Sequence, residues 1–317
     1  MRVNPVPSVE QLSFQNRKAI KLIPASIRSE LEKNIERQIE VQHTPTVVKK
    51  FANGETYVNI CEDMRNKDVY LMPVLGNQVN DNLMEIYLKA EASKRMGANR
   101  VTAVLPNFPY GRQERKTELG EPISARLNLS LLHASGVDEI ITADLHAQAL
   151  QGFVRKIKLT DLSSVEEMAN YFKGKFKPED LVVVSPDFGG AKRAAKLAKE
   201  LNCDKAIIYK NRTGHNQAVA ESLLGNVEGK TCIIYDDIID TAGTITEAAK
   251  MLKSHGAEKI YIAAAHGLFN GQALGRIQAA PIEEAVVTNS EAKPALDKIK
   301  QVDLAPKIVG TILDISG

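Results

Sequence analysis

The sequence predicts an α/β protein of two domains, each a mostly parallel sheet flanked by helices. Three observations lead there. Short apolar runs alternate with segments of helical periodicity, and Gly and Pro punctuate the joins, which is the pattern of βαβ units. The length of 317 residues suits two domains better than one. Several apolar runs end on Asp, and in open parallel sheets ligands gather beyond the carboxyl ends of the strands.

Composition sets bounds before any element is placed. Hydrophobic residues make up 44% and charged residues 25% of the chain, as in ordinary globular proteins with substantial cores. Forty-one basic and 39 acidic residues give a net charge of +2, so no field of the whole molecule draws it to nucleic acid or a membrane. Any anion site must be a local cluster. Cys61, Cys203 and Cys232 lack metal or redox spacing and read as buried, reduced thiols. No apolar stretch reaches membrane-spanning length, and the first residues hold no apolar signal core, which places the chain in the cytoplasm.

In chain order, the first stretch with a clear signal is Phe51 to Ile60. Ala52-Asn53-Gly54-Glu55 signals a tight turn and Thr56 to Ile60 alternates as a strand, so a hairpin is expected. An apolar strand from Asp68 to Val74, an amphipathic helix from Asn80 to Met96 and a strand from Arg100 to Leu105 follow. The loop after that strand gathers Arg112, Arg115 and Lys116 beside Phe108 and Tyr110. A basic loop by itself is a solvated surface. Its place beyond a strand points instead to phosphate. Glu139 to Ala143 is the next strand, leading to Asp144-Leu145-His146, where a carboxylate and an imidazole could hold a hydrated Mg²⁺ or link it to phosphates.

A second α/β pattern opens near Asp161, with a helix at Val165 to Phe172 and a strand at Leu181 to Val184. Ser185-Pro-Asp-Phe-Gly-Gly-Ala-Lys-Arg-Ala194 then reads as a turn entering a helix, with Asp187 at the strand end. A strand at Lys205 to Tyr209 leads into the polar loop Lys210 to Asn216. Strands at Lys259 to Ala265 and at Ala285 to Asn289, the latter expected to be the last, precede an apolar-periodic helix within residues 301–317. The two halves show no sequence repeat.

The most informative stretch is Thr231 to Gly256. Cys232 to Tyr235 reads as a buried strand ending on Asp236 and Asp237, and Asp240-Thr241-Ala242-Gly243-Thr244 as a turn before a helix that Gly256 stops. Backbone N–H groups and threonine hydroxyls at a helix N-terminus can surround a phosphate dianion. The acid pair could accept hydrogen bonds from sugar hydroxyls, and Gly243 would let the backbone approach the phosphate. The pattern suits a sugar phosphate.

The run from Asp236 to Ile245 closely resembles the phosphoribosyl-pyrophosphate loop of type I phosphoribosyltransferases, and most of all that of the ribose-phosphate pyrophosphokinase (PRPP synthetase) family. The resemblance extends through five motifs over residues 50–310. It implies two phosphoribosyltransferase-like domains, residues 1–157 and 158–303, with residues 304–317 packing back on the first. It implies that Phe51, Asn53 and Glu55 contact adenine in a neighbouring subunit's site. Asn53 stands where the family usually has Asp, and an amide can both accept and donate. Arg112 and Gln113 would bind ATP. His146, with Asp144, would bind Mg²⁺ and the nucleotide phosphates, and Asp187 would orient the ribose phosphate or its metal. Lys210 and Arg212 would form a catalytic flap, and Asp236, Asp237, Asp240, Thr241, Ala242, Gly243 and Thr244 the ribose 5-phosphate site. The family's pattern of acids after Phe153 is replaced here by basic residues, so no further metal ligand is assigned there. The partners implied are ATP, ribose 5-phosphate and copies of the same chain, in dimer-based assemblies that are commonly hexamers. A phosphoribosyltransferase and a catalytically inactive regulatory homologue are the alternative readings.

Overall fold

The computed structural model describes residues 20–41, 43–73, 76, 78–153, 156–211 and 220–316. The chain forms two compact units, one reaching Leu162 and taking in the segment from Ala305 onward, the other spanning Ser163–Leu304.

The first unit begins with β1 (Ile20–Ile23), helix α1 (Glu30–Ile39) and the hairpin strands β2 (Thr46–Lys50) and β3 (Thr56–Ile60). It continues with β4 (Asp68–Leu71), α2 (Val79–Arg95), β5 (Arg100–Val104), α3 (Ser124–Ala134), β6 (Glu139–Ala143) and β7 (Lys158–Leu162). The main sheet has the order β1-β4-β5-β6-β7 and every pair in it is parallel. Its central strands are buried on both faces, which is why they read as unbroken apolar runs rather than alternating ones. Val69, Leu71, Val101, Ala103 and Ile140 pack with Ile86 and Ala90 of α2 and Leu129 and Leu132 of α3. The expected hairpin is present as a separate antiparallel ribbon, with Lys50 opposite Thr56. Gly54, at φ +91°, makes the turn that a side chain would disfavour. β7 pairs with β6 as far as Leu162 opposite Ala143, so the first sheet continues past the residue 157 expected to end it.

The second unit holds α4 (Val165–Phe172), β8 (Leu181–Ser185), α5 (Ala191–Leu201), β9 (Asp204–Asn211), β10 (Ala220–Leu224) and β11 (Thr231–Ile239). Helix α6 (Gly243–Ser254), β12 (Lys259–Gly267), α7 (Ala273–Ala279), β13 (Ala285–Thr288) and β14 (Ile299–Val302) complete it. Its sheet runs β10-β9-β8-β11-β12-β13-β14, with β10 antiparallel to β9 and the rest parallel. One face is filled by α6 and α7 through Ile245, Ala249, Leu252 and Ile277. The other is filled by α4 and α5 through Met168, Phe172, Leu197 and Leu201.

Helix α8 (Ala305–Ser316) belongs to the first unit. Ala305, Ile308, Val309 and Ile312 are its buried stripe, at the spacing of one helical face. The buried Tyr70 hydroxyl donates to Ile312 O at 3.2 Å, and Arg100 Nη2 donates to Ile315 O at 2.7 Å while pairing with Asp68.

The structure departs from the sequence reading in several places. Ala285–Thr288 is not the last strand, because β14 pairs with it. β9 runs on to Asn211, which places Lys210 on a strand opposite Glu221 instead of in a loop. β11 continues through the acid pair to Ile239, since β12 runs alongside it as far as Gly267 opposite Ile239. Cys61 is exposed, while Cys232 is buried. No helix among the described residues is long and apolar enough to cross a membrane.

Candidate active site

Strand order locates the site in the second unit. The chain leaves β8 through α5 towards β9, and leaves β11 through α6 towards β12, so neighbours β8 and β11 diverge. Such a switch point opens a crevice beyond the strand ends. β8 pairs with β11 only as far as Val184 opposite Ile234 and ends at Ser185. β11 therefore projects past β8, and Asp236 and Asp237 stand on the projecting part. Among the described residues the first unit shows no equivalent point, because its strand order rises in one direction.

The acid pair is tightly held. Asp237 is buried and Asp236 nearly so. Arg193 Nη1, from the first turn of α5, lies 3.1 Å from Asp236 Oδ1 and 3.2 Å from Asp237 Oδ1. The Asp237 N–H donates to the same Asp236 Oδ1 at 2.9 Å. Burial first, and then the neighbouring Asp237, push the Asp236 carboxyl up to about 7, against the pull of Arg193.

Next to the pair, the turn into α6 is shaped for an anion. Ala242 holds the left-handed conformation at φ +60° and no side chain caps the helix, so its first N–H groups are left for a ligand. Gly243 itself has no positive φ, and a Cβ on it would meet Arg276 Nη1 at 3.4 Å and Thr241 Oγ1 at 3.9 Å. Bonds from α7 and from Asn270 fix the turn from outside: Arg276 Nη1 donates to Thr241 O at 2.9 Å, Asn270 Nδ2 to Asp240 Oδ1 at 2.9 Å, and the Asn270 N–H to Asp240 O at 3.0 Å. The Thr241 and Thr244 side chains face solvent.

Across the crevice, Asp187 follows β8. Its Oδ1 accepts the Gly190 N–H at 2.9 Å, and Ser185 Oγ donates to its carbonyl at 2.7 Å. The carboxylate thus orders the entry into α5 and remains exposed.

In the first unit, the expected nucleotide residues lie on three elements. Phe51, Asn53 and Glu55 form the exposed hairpin tip, where Asn53 Oδ1 accepts the Glu55 N–H at 3.2 Å and Phe51 packs edge-on to Tyr57. Arg112 is exposed on the loop after β5, and Gln113 Oε1 accepts from Ser124 Oγ at 2.6 Å, tying that loop to the start of α3. His146 is exposed after β6, and Asp144 adopts φ +45°. Asp161 on β7 holds this last turn, accepting Leu145 N–H at 3.1 Å and Gln148 Nε2 at 2.8 Å. Among the described residues, no three His, Cys, Asp or Glu side chains gather to hold a metal. Arg212 lies outside the described residues, and of Lys210 only the backbone is described.

Residues 20–136 match the N-terminal domain of ribose phosphate pyrophosphokinase, and residues 215–316 match the phosphoribosyl synthetase-associated domain. The chain is 42% identical over 299 residues to a ribose-phosphate pyrophosphokinase of Listeria ivanovii, an alignment covering 93% of this chain and 94% of that one. The chain belongs to the ribose-phosphate pyrophosphokinase family. A ribose-phosphate pyrophosphokinase of Clostridium acetobutylicum is 41% identical over 91% of this chain and 92% of its own. The crystal structure of phosphoribosylpyrophosphate synthetase from Mycobacterium smegmatis superposes with a TM-score of 0.87 at 34% identity, covering 93% of this chain and 98% of that one. Ribose-phosphate pyrophosphokinases are transferases, so the fold and the enzyme class expected from the sequence both stand.

Two structural partners within this ribose-phosphate pyrophosphokinase fold escaped sequence reading. In the sequence Arg193 is one letter of the turn-and-helix segment 185–194, and Asp161 marks only the opening of the second α/β pattern. Arg193 reaches the acid pair across the sheet, and Asp161 reaches back from the neighbouring strand. Neither contact leaves a local pattern.

Proposed function

We propose that the chain transfers the pyrophosphoryl group of Mg-ATP to the C1 hydroxyl of ribose 5-phosphate, giving AMP and 5-phosphoribosyl 1-pyrophosphate for nucleotide biosynthesis. The observation that carries the reading is the switch-point crevice, with Asp236 and Asp237 on the projecting end of β11 and the uncapped start of α6 beside them. In it the α6 N–H groups and the Thr241 and Thr244 hydroxyls bind the 5-phosphate, and the carboxylates accept from the ring hydroxyls. This leaves C1 as the nucleophilic end. Its oxygen attacks the β-phosphorus in line and AMP departs, so catalysis lies in positioning and in stabilising charge on the non-bridging oxygens.

Lys210 and Arg212 supply that stabilisation. Phe51, Asn53, Glu55, Arg112 and Gln113 hold the nucleotide, the hairpin residues acting in a neighbouring copy of the chain. Asp144 and His146 in the first unit, and separately Asp187 in the second, are donors that suit Mg²⁺, which keeps several waters and takes one or two carboxylates together with substrate phosphates. Bound at either place, the ion would neutralise phosphate charge.

Purified protein given Mg-ATP and ribose 5-phosphate is expected to form AMP and 5-phosphoribosyl 1-pyrophosphate in equal amounts. Absence of both products would remove the reading and leave the inactive homologue. Consumption of 5-phosphoribosyl 1-pyrophosphate with a free base would establish the phosphoribosyltransferase instead.

A further inference from the structure

One cation in the second unit has no role in the reading above. Arg193 reaches from the third residue of α5 to both members of the acid pair, with a single nitrogen, Nη1, at 3.1 and 3.2 Å from the two Oδ1 atoms. Its side chain is only 20% exposed. Adjacent carboxylates shielded from water repel, and without a counter-charge one of them takes up a proton. The turn that leads to Arg193 is closely packed at Gly190, where a Cβ would sit 2.7 Å from Ser185 Oγ. The turn before it is pinned by the bonds of Ser185 and Gly190 to Asp187.

Other charged groups on neighbouring elements make bonds of their own. His266 on β12 bonds Ser290 Oγ at 2.8 Å, Asp240 bonds Asn270, and Arg276 of α7 bonds Thr241 O. On α6 the first charged side chain is Glu247, exposed and paired with Lys250.

We propose that Arg193 is a positioning residue for the sugar-phosphate site: by bridging Asp236 and Asp237 it opposes proton uptake by the pair and aims both carboxylates to accept the sugar's hydroxyls. This rests on the sugar-phosphate reading of the acid pair. Arg193 acts through the two carboxylates and contacts no transferred group.

The test compares wild type with Arg193→Met, Arg193→Lys, Asp236→Asn and the double variant Arg193→Met/Asp236→Asn. Initial rates are measured against ribose 5-phosphate and against Mg-ATP from pH 5.5 to 9. Arg193→Met is expected to raise KM for ribose 5-phosphate by about tenfold or more, since it leaves buried charge unpaired. The acid limb of kcat/KM for the sugar phosphate should move to higher pH, while KM for ATP stays within about twofold and kcat at saturation changes less than KM. Arg193→Lys, which keeps the charge, should restore most of the loss. The double variant should add less than about twofold to Asp236→Asn, because one remaining carboxylate needs no bridge.

An unchanged sugar-phosphate KM in Arg193→Met overturns the proposal. So does a rise without movement of the acid limb, which would mark a direct contact with the substrate phosphate. If Arg193→Met does not fold, the double variant and the lysine variant decide, and a further tenfold loss in the former or none of the expected rescue in the latter sinks the idea. Failure of the underlying reading looks different: Asp236→Asn would then leave the sugar-phosphate KM untouched in an active enzyme, whatever Arg193 does.

Discussion

In the proposed sugar-phosphate site, Asp236 would serve binding at the expense of stability. Burial and Asp237 raise its carboxyl to about 7, well above an ordinary carboxylate. The folded chain therefore holds a proton there that the unfolded chain releases between about pH 4 and 7. Stability from this group is present at low pH and declines as pH rises through 7. Asp236→Asn is expected to melt higher than wild type at pH 8, with the difference shrinking towards pH 5. Its affinity for ribose 5-phosphate should fall by about 1.5–3 kcal/mol, the loss of one hydrogen-bonded charged contact. Thermal scans at the two pH values and a titration check both halves. Lys210 and Arg212 make the opposite case. A cation that meets transition-state charge supplies on the order of 3 kcal/mol. Lys210→Ala and Arg212→Ala should each lower kcat roughly a hundredfold or more, with little change in KM or melting temperature, and near-normal turnover in either would remove that residue from the catalytic group.

Among the elements, the β8–α5 turn and the β2–β3 hairpin differ in what their tips can tolerate. The turn is closely packed. Gly190→Ala would place a Cβ 2.7 Å from Ser185 Oγ, and the forced shift should cost about 1–3 kcal/mol. Denaturant unfolding would register that loss, and KM for ribose 5-phosphate should rise with it as Arg193 is displaced. The hairpin tip is open. Phe51 is 49% exposed and touches Tyr57 edge-on, so Phe51→Ala should leave the melting temperature nearly unchanged while raising KM for ATP. A normal KM would take the hairpin out of the nucleotide site.

For the molecule as a whole, the tail and the assembly are the points to test. Helix α8 buries Ala305, Ile308, Val309 and Ile312 in the first unit. Tyr70→Phe removes the donor to Ile312 O and should cost about 1 kcal/mol, read as earlier proteolysis of the C-terminal segment and a lower melting temperature. A nucleotide site shared between copies predicts complementation. Glu55→Ala chains mixed with Arg112→Ala chains should regain activity in hybrids, since one kind of interface then carries neither lesion. Hybrids shown by tags to have formed, yet inactive, would argue against a shared site.

The sequence by itself determined the fold class and most strand positions, and it singled out the residues of the proposed sugar-phosphate loop. β6 and α4 fall at Glu139–Ala143 and Val165–Phe172 as expected, because buried parallel strands and amphipathic helices write their periods locally. Their ends are less legible. β11 runs past Asp236 only because β12 accompanies it, and β8 stops at Ser185; strand length is settled by the neighbour, not by the strand's own residues. The same holds for Lys210, which pairing with β10 places on a strand. In the turn before α6 it is Ala242 that takes positive φ, which only the geometry of the turn shows. Arg193 and Asp161 were visible as letters but not as partners. Their contacts, to residues 43 positions away in one case and 16 in the other, arise from the order in which strands lie side by side, and that order is the property of the tertiary structure that brings the acid pair, its counter-charge and the phosphate turn to one crevice.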